Sequence, residues 1–406
     1  MNSRERALTA LDHREPDRVP VSFGDPVYSS IFDYRPYGYR ALCAYLGITD
    51  YAEPISFIDE GSTVSNVDGR LLVRFGADLR CLAPGSSREP EWLPDGGWRD
   101  EFGLVRRKHG AYWRSDDHEA PLRDAAEVSD ILNYPCWPDA TDPAIGRGKL
   151  EEARAIREAG YAVMASPGWA GVVFHTYAFL RGFEQWLVDM YDDPRFYHAL
   201  SDRITSWDEE YLEAFLPAIA DEIDLVMTAE DMGTQLAPFM HPDMYRKFCK
   251  PYHARVITAV RRAAPKTKII FHSCGNIYPI IPDLIEIGID VLNPIQPHAT
   301  SMEPWRLKRD FGDALSFLGG VDIQELLPYG TREQVQDGVK ELIDTMAPGG
   351  GFILAPSHQF QPDVPPENIV AMYDTALEHG RYPLPTGSAD AAATARVARS
   401  TRAVDP

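Results

Sequence analysis

A chain of 406 residues with 44% apolar content can build a large core, which excludes wholesale disorder. A formal net charge of −21 excludes nucleic acid and anionic membrane surfaces as partners, because both require a basic face. The five cysteines form no CxxC pair, no run of eighteen apolar residues occurs, and the N-terminus has no signal-peptide core. Reduced thiols and a cytoplasmic location are therefore expected.

In chain order, Arg4–Leu11 reads as a short amphipathic helix, and Val19–Gly24 as a first strand ending at Asp25. Leu71–Leu82 is a second strand candidate. Residues 83–145 are dense in Pro, Gly, Asp and Trp and show no helical period. Within them, Phe102–Arg107 and Ala111–Arg114 flank Lys108-His109-Gly110 as a hairpin. The segment reads as a β-rich insertion in the N-terminal third, within a single domain over residues 1–385. Residues 386–406 read as a flexible tail.

From Pro143 the rhythm becomes regular. Helix Leu150–Ala159 precedes strand Tyr161–Ala165, and helices near Tyr177–Met190 and Pro194–Leu216 follow. Strand Leu225–Thr228 ends at Glu230-Asp231. The long helix Asp243–Ala264 contains Pro251, which should kink it. Thr267–Leu292 is a strand, a His272-Ser273-Cys274-Gly275 turn, a helix and a strand. Helix Glu303–Asp310, strand Leu315–Leu318, helix Arg332–Met346, strand Phe352–Ala355 and a last helix from Pro365-Pro366-Glu367 complete the pattern.

About eight strands, most separated by helices, predict a parallel sheet closed into a (β/α)8 TIM barrel. An open doubly wound sheet would show a Gly-rich dinucleotide loop, and none is present. In a barrel, polar residues at strand carboxyl ends converge on one mouth. That rule collects Asp25, Trp169, Glu230, Asp231, His272, Cys274, Gln296, His298, Asp322 and His358. His272, Cys274 and His358 form a candidate metal site, with Glu230 or Asp231 as a fourth ligand or supporting partner. Zinc suits such nitrogen and sulfur donors. The alternative is a buried imidazole beside a small core thiol. A residue such as Trp169, with Phe174 and Tyr177 nearby, is more often core packing than a ring-stacking platform.

The opening ERALTALDHREPDRVPV, the FGADLR stretch, AEDMGTQLAPFMHPDMYRKFCKPYH, HSCGNI, LGGVD and the closing GGFILAPSHQFQPDVPPENIVAMYD carry a family likeness. On them the chain resembles the uroporphyrinogen decarboxylase superfamily, in particular its branch of zinc- and cobalamin-dependent methyltransferases and O-demethylase components. The resemblance implies a (β/α)8 barrel with its site at the mouth. Decarboxylases proper carry an Arg-containing loop reading roughly RQAGRY; the corresponding region here is GDPVYSSIFDYRPYGYRAL, which lacks it. The methyltransferase branch holds zinc with a His-x-Cys turn and a later Cys. His272 and Cys274 match the turn, and Pro356-Ser357-His358 puts histidine where the third cysteine is expected. One thiolate instead of two makes a harder Lewis acid, suited to an ether oxygen more than to a thiol.

The resemblance therefore implies a zinc-dependent methyltransferase acting on a small methoxylated or N-methylated compound. Zn2+ would sit on His272, Cys274 and His358, with Asp231, Glu230 and His358 as catalytic residues. Trp169, Gln296, Asp25 and Tyr177 are the expected substrate contacts. Cobalamin is expected only on a separate corrinoid protein, since no Asp-x-His-x-x-Gly motif occurs. The alternative is a metal-free carboxy-lyase on an anionic substrate, with Asp78 or Asp231 facing the ring and Arg35, Arg40 and His358 holding carboxylates. A homodimer is left open; nucleic acid and membrane partners are not expected.

Overall fold

The computed structural model describes residues 1–25, 28–57, 63–86, 90–168 and 170–384. Its centre is a parallel sheet of seven strands: β1 (Leu79–Leu82), β2 (Ala162–Ala165), β3 (Leu225–Ala229), β4 (Lys268–His272), β5 (Val291–Asn293), β6 (Ser316–Val321) and β7 (Phe352–Pro356). Each strand pairs with the next in sequence, so the sheet curls in one direction. The extended segment at residues 20–22 closes the ring between its two edges. Leu354 N–H bonds to Pro20 O and Ser22 N–H to Leu354 O on one side, and Asp78 N–H bonds to Val21 O on the other, each at 2.9 Å. The predicted barrel is present, its first position held by main-chain bonds rather than a long ladder.

Alternation along the strands separates two packed layers. Leu79, Ala162, Met164, Leu225, Met227, Ile270, Val291, Leu318, Ile353 and Ala355 fill the barrel interior, joined by Ala7, Leu11 and Tyr28. The helix Ser3–Leu11, started by an Asn2/Glu5 capping box, plugs the amino-terminal end. Arg4 N–H meets Gly160 O just before β2, and Gly351 N–H meets Ala10 O just before β7. The residues facing outward from the strands pack under the helices in a larger apolar layer. With one end plugged, the carboxyl ends of the strands form the accessible mouth.

Several expected elements shift. Leu71–Leu82 is not one strand: Asp68 accepts the Arg70 N–H and starts the helix Gly69–Arg74, and only Leu79–Leu82 is extended. The helix expected near Tyr177–Met190 is two helices, Val173–Arg181 and Phe183–Asp192, broken at Gly182 with φ of 98°. Around Pro251 the long helix forms a π-helical turn, Tyr245–Cys249, because proline supplies no N–H to the preceding turn. The insertion contains an antiparallel sheet of Glu91–Trp92, Trp98–Arg99, Val105–His109 and Tyr112–Arg114. It docks on the barrel through buried Arg106, whose guanidinium lies 4.9 Å from the Phe179 ring, and through Leu122 N–H on Leu180 O at 2.7 Å. Among the described residues no helix is long and apolar enough to cross a membrane.

Candidate active site

In β4, Ile270 faces the barrel interior, so the two-residue period turns His272 inward at the strand's carboxyl end. The register sets it opposite Asn293 of β5. Asn293 Nδ2 donates to Leu318 O at 3.0 Å, which assigns its oxygen to the other side, where it meets His272 Nδ1 at 2.5 Å. Nδ1 is then the protonated nitrogen, and the Nε2 lone pair looks into the mouth. Tyr28 stacks on the imidazole at 5.5 Å between centroids. Burial holds the His272 pKa below its ordinary value, with Asp231 and Asn293 opposing only in part.

The strand ends at His272, so strand periodicity does not orient Cys274. The turn does that, bringing Cys274 Sγ to 3.5 Å from His272 Nε2. Four bonds clamp it. Met232 N–H meets Ser273 Oγ at 3.1 Å, Cys274 N–H meets Asp231 Oδ1 at 2.6 Å, Asn276 N–H meets Thr234 O at 2.7 Å, and Gly275 N–H meets Gln296 Oε1 at 2.8 Å. Gly275 has φ of 80°, and a Cβ there would lie 2.4 Å from Gly233 O. The loops after β3 and β4 therefore touch backbone to backbone, and glycine is required at the crossing.

His358 follows β7, with its ring 5.5 Å from that of His272 and inclined at 72°. Burial, and then His272, lower its pKa to about 4. One ligand atom each from His272, Cys274 and His358 lies within 4.8 Å of the others. A tetrahedral zinc with bonds of about 2.0–2.3 Å keeps its donors roughly 3.3–3.8 Å apart. The His272–Cys274 separation falls in that range, and the widest pair would close by about an ångström. Two imidazoles and a thiol, one with its metal-facing nitrogen already deprotonated, fit zinc.

The acidic pair after β3 divides. Glu230 is 1% exposed and accepts the N–H groups of Phe174 and His175, at 2.6 and 2.7 Å, at the start of helix Val173–Arg181. His175 Nδ1 lies 3.1 Å from it and His253 Nε2 3.8 Å. Burial pushes the Glu230 pKa up, but the two histidines win and hold it low. The expectation that Glu230 is catalytic is corrected by this enclosure: it anchors the helix and orients His175. Asp231 is the half-exposed member, 3.9 Å from His272 Nε2 and 4.0 Å from His175 Nε2. Burial acts to raise its pKa, and the histidines together with the Cys274 N–H bring it below the ordinary value.

His175 is the residue the sequence reading missed. It sits in the apolar run VVFHTYAF and looks like core; its only signal is its place in the helix that follows a barrel strand. Tyr177, two residues on, is not a substrate contact. Its hydroxyl donates to Asp189 Oδ2 at 2.7 Å inside the helical layer, and none of it is exposed. Asp25 is 4% exposed and accepts the Tyr28 N–H at 3.1 Å, so it supports the tyrosine that stacks on His272. Gln296 holds the Cys274 turn. Trp169 lies outside the described residues. His298 and Asp322 pair at 2.9 Å, and Asp322 caps the N–H groups of Gln324, Glu325 and Leu326. Asp78 stands at the opposite end of the barrel, fully buried between Arg6 Nη1 at 2.6 Å and Arg18 Nη1 at 2.8 Å.

The uroporphyrinogen decarboxylase (URO-D) family model matches residues 150–379. The chain belongs to this family. Among URO-D relatives, the uroporphyrinogen decarboxylase of Citrifermentans bemidjiense is 29% identical over 189 residues, 46% of this chain and 50% of that protein. The chain thus spans about half the length of that relative. The uroporphyrinogen decarboxylase of Geobacter metallireducens is 26% identical over 262 residues, covering 63% and 71%. A solved methyltransferase from Methanosarcina mazei superposes with a TM-score of 0.59 at 17% identity, over 93% of this chain and 99% of that one. That likeness concerns the fold.

Proposed function

We propose that this URO-D family enzyme is a zinc-dependent methyltransferase that takes a methyl group from a small methoxylated or N-methylated compound and delivers it to a corrinoid protein. The observation that carries the reading is the cluster of His272, Cys274 and His358 at the mouth, with Nε2 of His272 presented by Asn293. Bound there, zinc would supply Lewis-acid stabilisation to a heteroatom gaining negative charge. The protein's own groups do the rest. Asp231 holds the Cys274 turn and presents its second oxygen to the mouth. Glu230 fixes His175, whose Nε2 can hold the proton that the departing oxygen or nitrogen takes up. The bond between carbon and heteroatom breaks, the methyl group passes to reduced cobalt on the acceptor, and the heteroatom is protonated. The methyltransferase of Methanosarcina mazei, alike in fold, is in line with this chemistry.

The test is methyl transfer from a panel of methyl ethers and N-methyl compounds to chemically reduced cobalamin, followed by absorbance. Zinc-supplemented protein should methylate the cobalt, and Cys274→Ser should lose most of that rate. No transfer from any donor removes the proposal.

The names of the sequence relatives favour a second reading, a carboxy-lyase. Against it, Asp78 is sealed at the far end, and Arg40 is engaged by Asp33 and Glu53. Porphyrinogen turnover that survives strong chelation would establish it.

A further inference from the structure

We propose that the inserted sheet belongs to the candidate metal centre: Tyr112, on its last strand, is a positioning residue for His358 and acts through Gln361. The inference rests on the zinc reading and adds to it the element that holds the third ligand in place.

The three candidate ligands are not held alike. His272 ends a strand and is fixed by Asn293, and Cys274 sits in a clamped turn. His358 lies beyond the end of β7 at Pro356, so no ladder fixes it. Its support comes from the residues that follow. The Gln359 side chain hydrogen-bonds to His358 and acts to raise its pKa, as the acceptor of an imidazole N–H does. That leaves the other ring nitrogen bare for a metal, the service that Asn293 gives His272. Gln359 is held in turn by Gln361, whose Nε2 donates to Gln359 O at 3.4 Å. With its nitrogen used there, Gln361 presents Oε1 to Tyr112, which donates its hydroxyl to it. Burial raises the Tyr112 pKa, so the hydroxyl keeps its proton at neutral pH.

Tyr112 grips this loop at a second point. Its ring meets Phe32 edge-on, with centroids 5.5 Å apart and planes inclined at 63°. Phe32 N–H bonds to Phe360 O at 3.1 Å, and Phe360 N–H bonds to Ser30 O at 2.8 Å. Phe360, between Gln359 and Gln361, is thereby stitched to the segment against which the tyrosine packs. The strand that carries Tyr112 is itself anchored. It pairs with Val105–His109, whose Arg106 is buried with its guanidinium 4.9 Å from the Phe179 ring. A ligand on a loop needs such a rigid support to keep its nitrogen within bonding range of a metal.

The experiment measures zinc affinity of the full chain by competition with a chromophoric chelator. The proteins are wild type, Tyr112→Phe, Gln361→Ala, the double variant, and Lys108→Gln in the same hairpin. Y112F should weaken zinc binding at least about tenfold, the low end of what residues behind a metal ligand contribute. Q361A should lose as much, and the double variant no more than the larger single loss, because both break one tether. K108Q leaves the tether intact and should bind as wild type does. Cobalt(II) in place of zinc reads the donor set. Y112F should lose much of the strong visible absorption of a four-coordinate ion as His358 lets go, which a merely loosened hairpin would not produce. Affinity of Y112F within about twofold of wild type, additive losses in the double variant, or an equal loss in K108Q would each overturn the proposal while the zinc reading stands. A wild-type chain that takes up no zinc would overturn both.

Discussion

Asn293→Ala isolates the residue that prepares His272 for a metal. Asn293 is 1% exposed and makes two bonds, one to His272 Nδ1 and one to Leu318 O. Alanine leaves both partners buried and unpaired, at about 1–3 kcal/mol each, so a stability loss of roughly 2–6 kcal/mol is expected. It also frees the imidazole to place its proton on Nε2, where it would block metal binding. Partners of this kind typically contribute 10–100-fold in metal affinity, or about 1.4–2.7 kcal/mol. The assay is zinc competition against a chromophoric chelator, with urea unfolding alongside. Asn293→Asp separates the two effects: it keeps an acceptor opposite Nδ1 and loses the donor to Leu318. N293D should hold zinc close to wild-type affinity while losing stability. Zinc affinity unchanged in N293A, with the stability loss present, would refute the orienting role.

Gly275→Ala should destabilise by about 2–4 kcal/mol and weaken zinc retention, because its Cβ meets Gly233 O at 2.4 Å and its φ is 80°; urea unfolding and metal analysis check both. Asp78→Asn leaves the Arg6 and Arg18 guanidiniums under-compensated and should cost about 3–5 kcal/mol, with methyl transfer per folded molecule unchanged. A selective loss of turnover would return Asp78 to the chemistry. In acid, Asp17 is held at about 2 by its bonds to Arg6. Asp283 is also depressed: burial acts to raise it, but Arg246 and Lys250 prevail. Folded values below the ordinary one mean that their stabilisation is complete above about pH 4 and is lost as pH falls through the folded values. The urea midpoint should therefore decline from pH 4 toward pH 2; a midpoint that rises there contradicts the assignment.

The barrel was legible because each strand from β2 to β7 is a short apolar run closed by a polar residue, with a helix between most neighbours. Leu71–Leu82 misled because its first half is as apolar as a strand; only Asp68, as an N-cap, betrays the helix. For the site, the sequence supplied His272, Cys274 and His358 as types and positions. Their approach depends on a backbone crossing at Gly233 and Gly275 that no local pattern announces. Tyr177 and His175 are two residues apart on one helix, and a rule about strand ends cannot tell which of them faces the mouth. Burial among Phe174, Trp186 and Tyr197 claimed the tyrosine for packing, whereas Glu230 turned the histidine to the site.

Metal analysis of the purified full chain, wild type beside His272→Ala, Cys274→Ser and His358→Ala, bears most directly on the central claim. One zinc per wild-type chain, with little or none in each variant at unchanged fold by circular dichroism, is the expected result. A wild-type protein that takes up no zinc when it is offered, or three variants that retain it fully, would contradict the account.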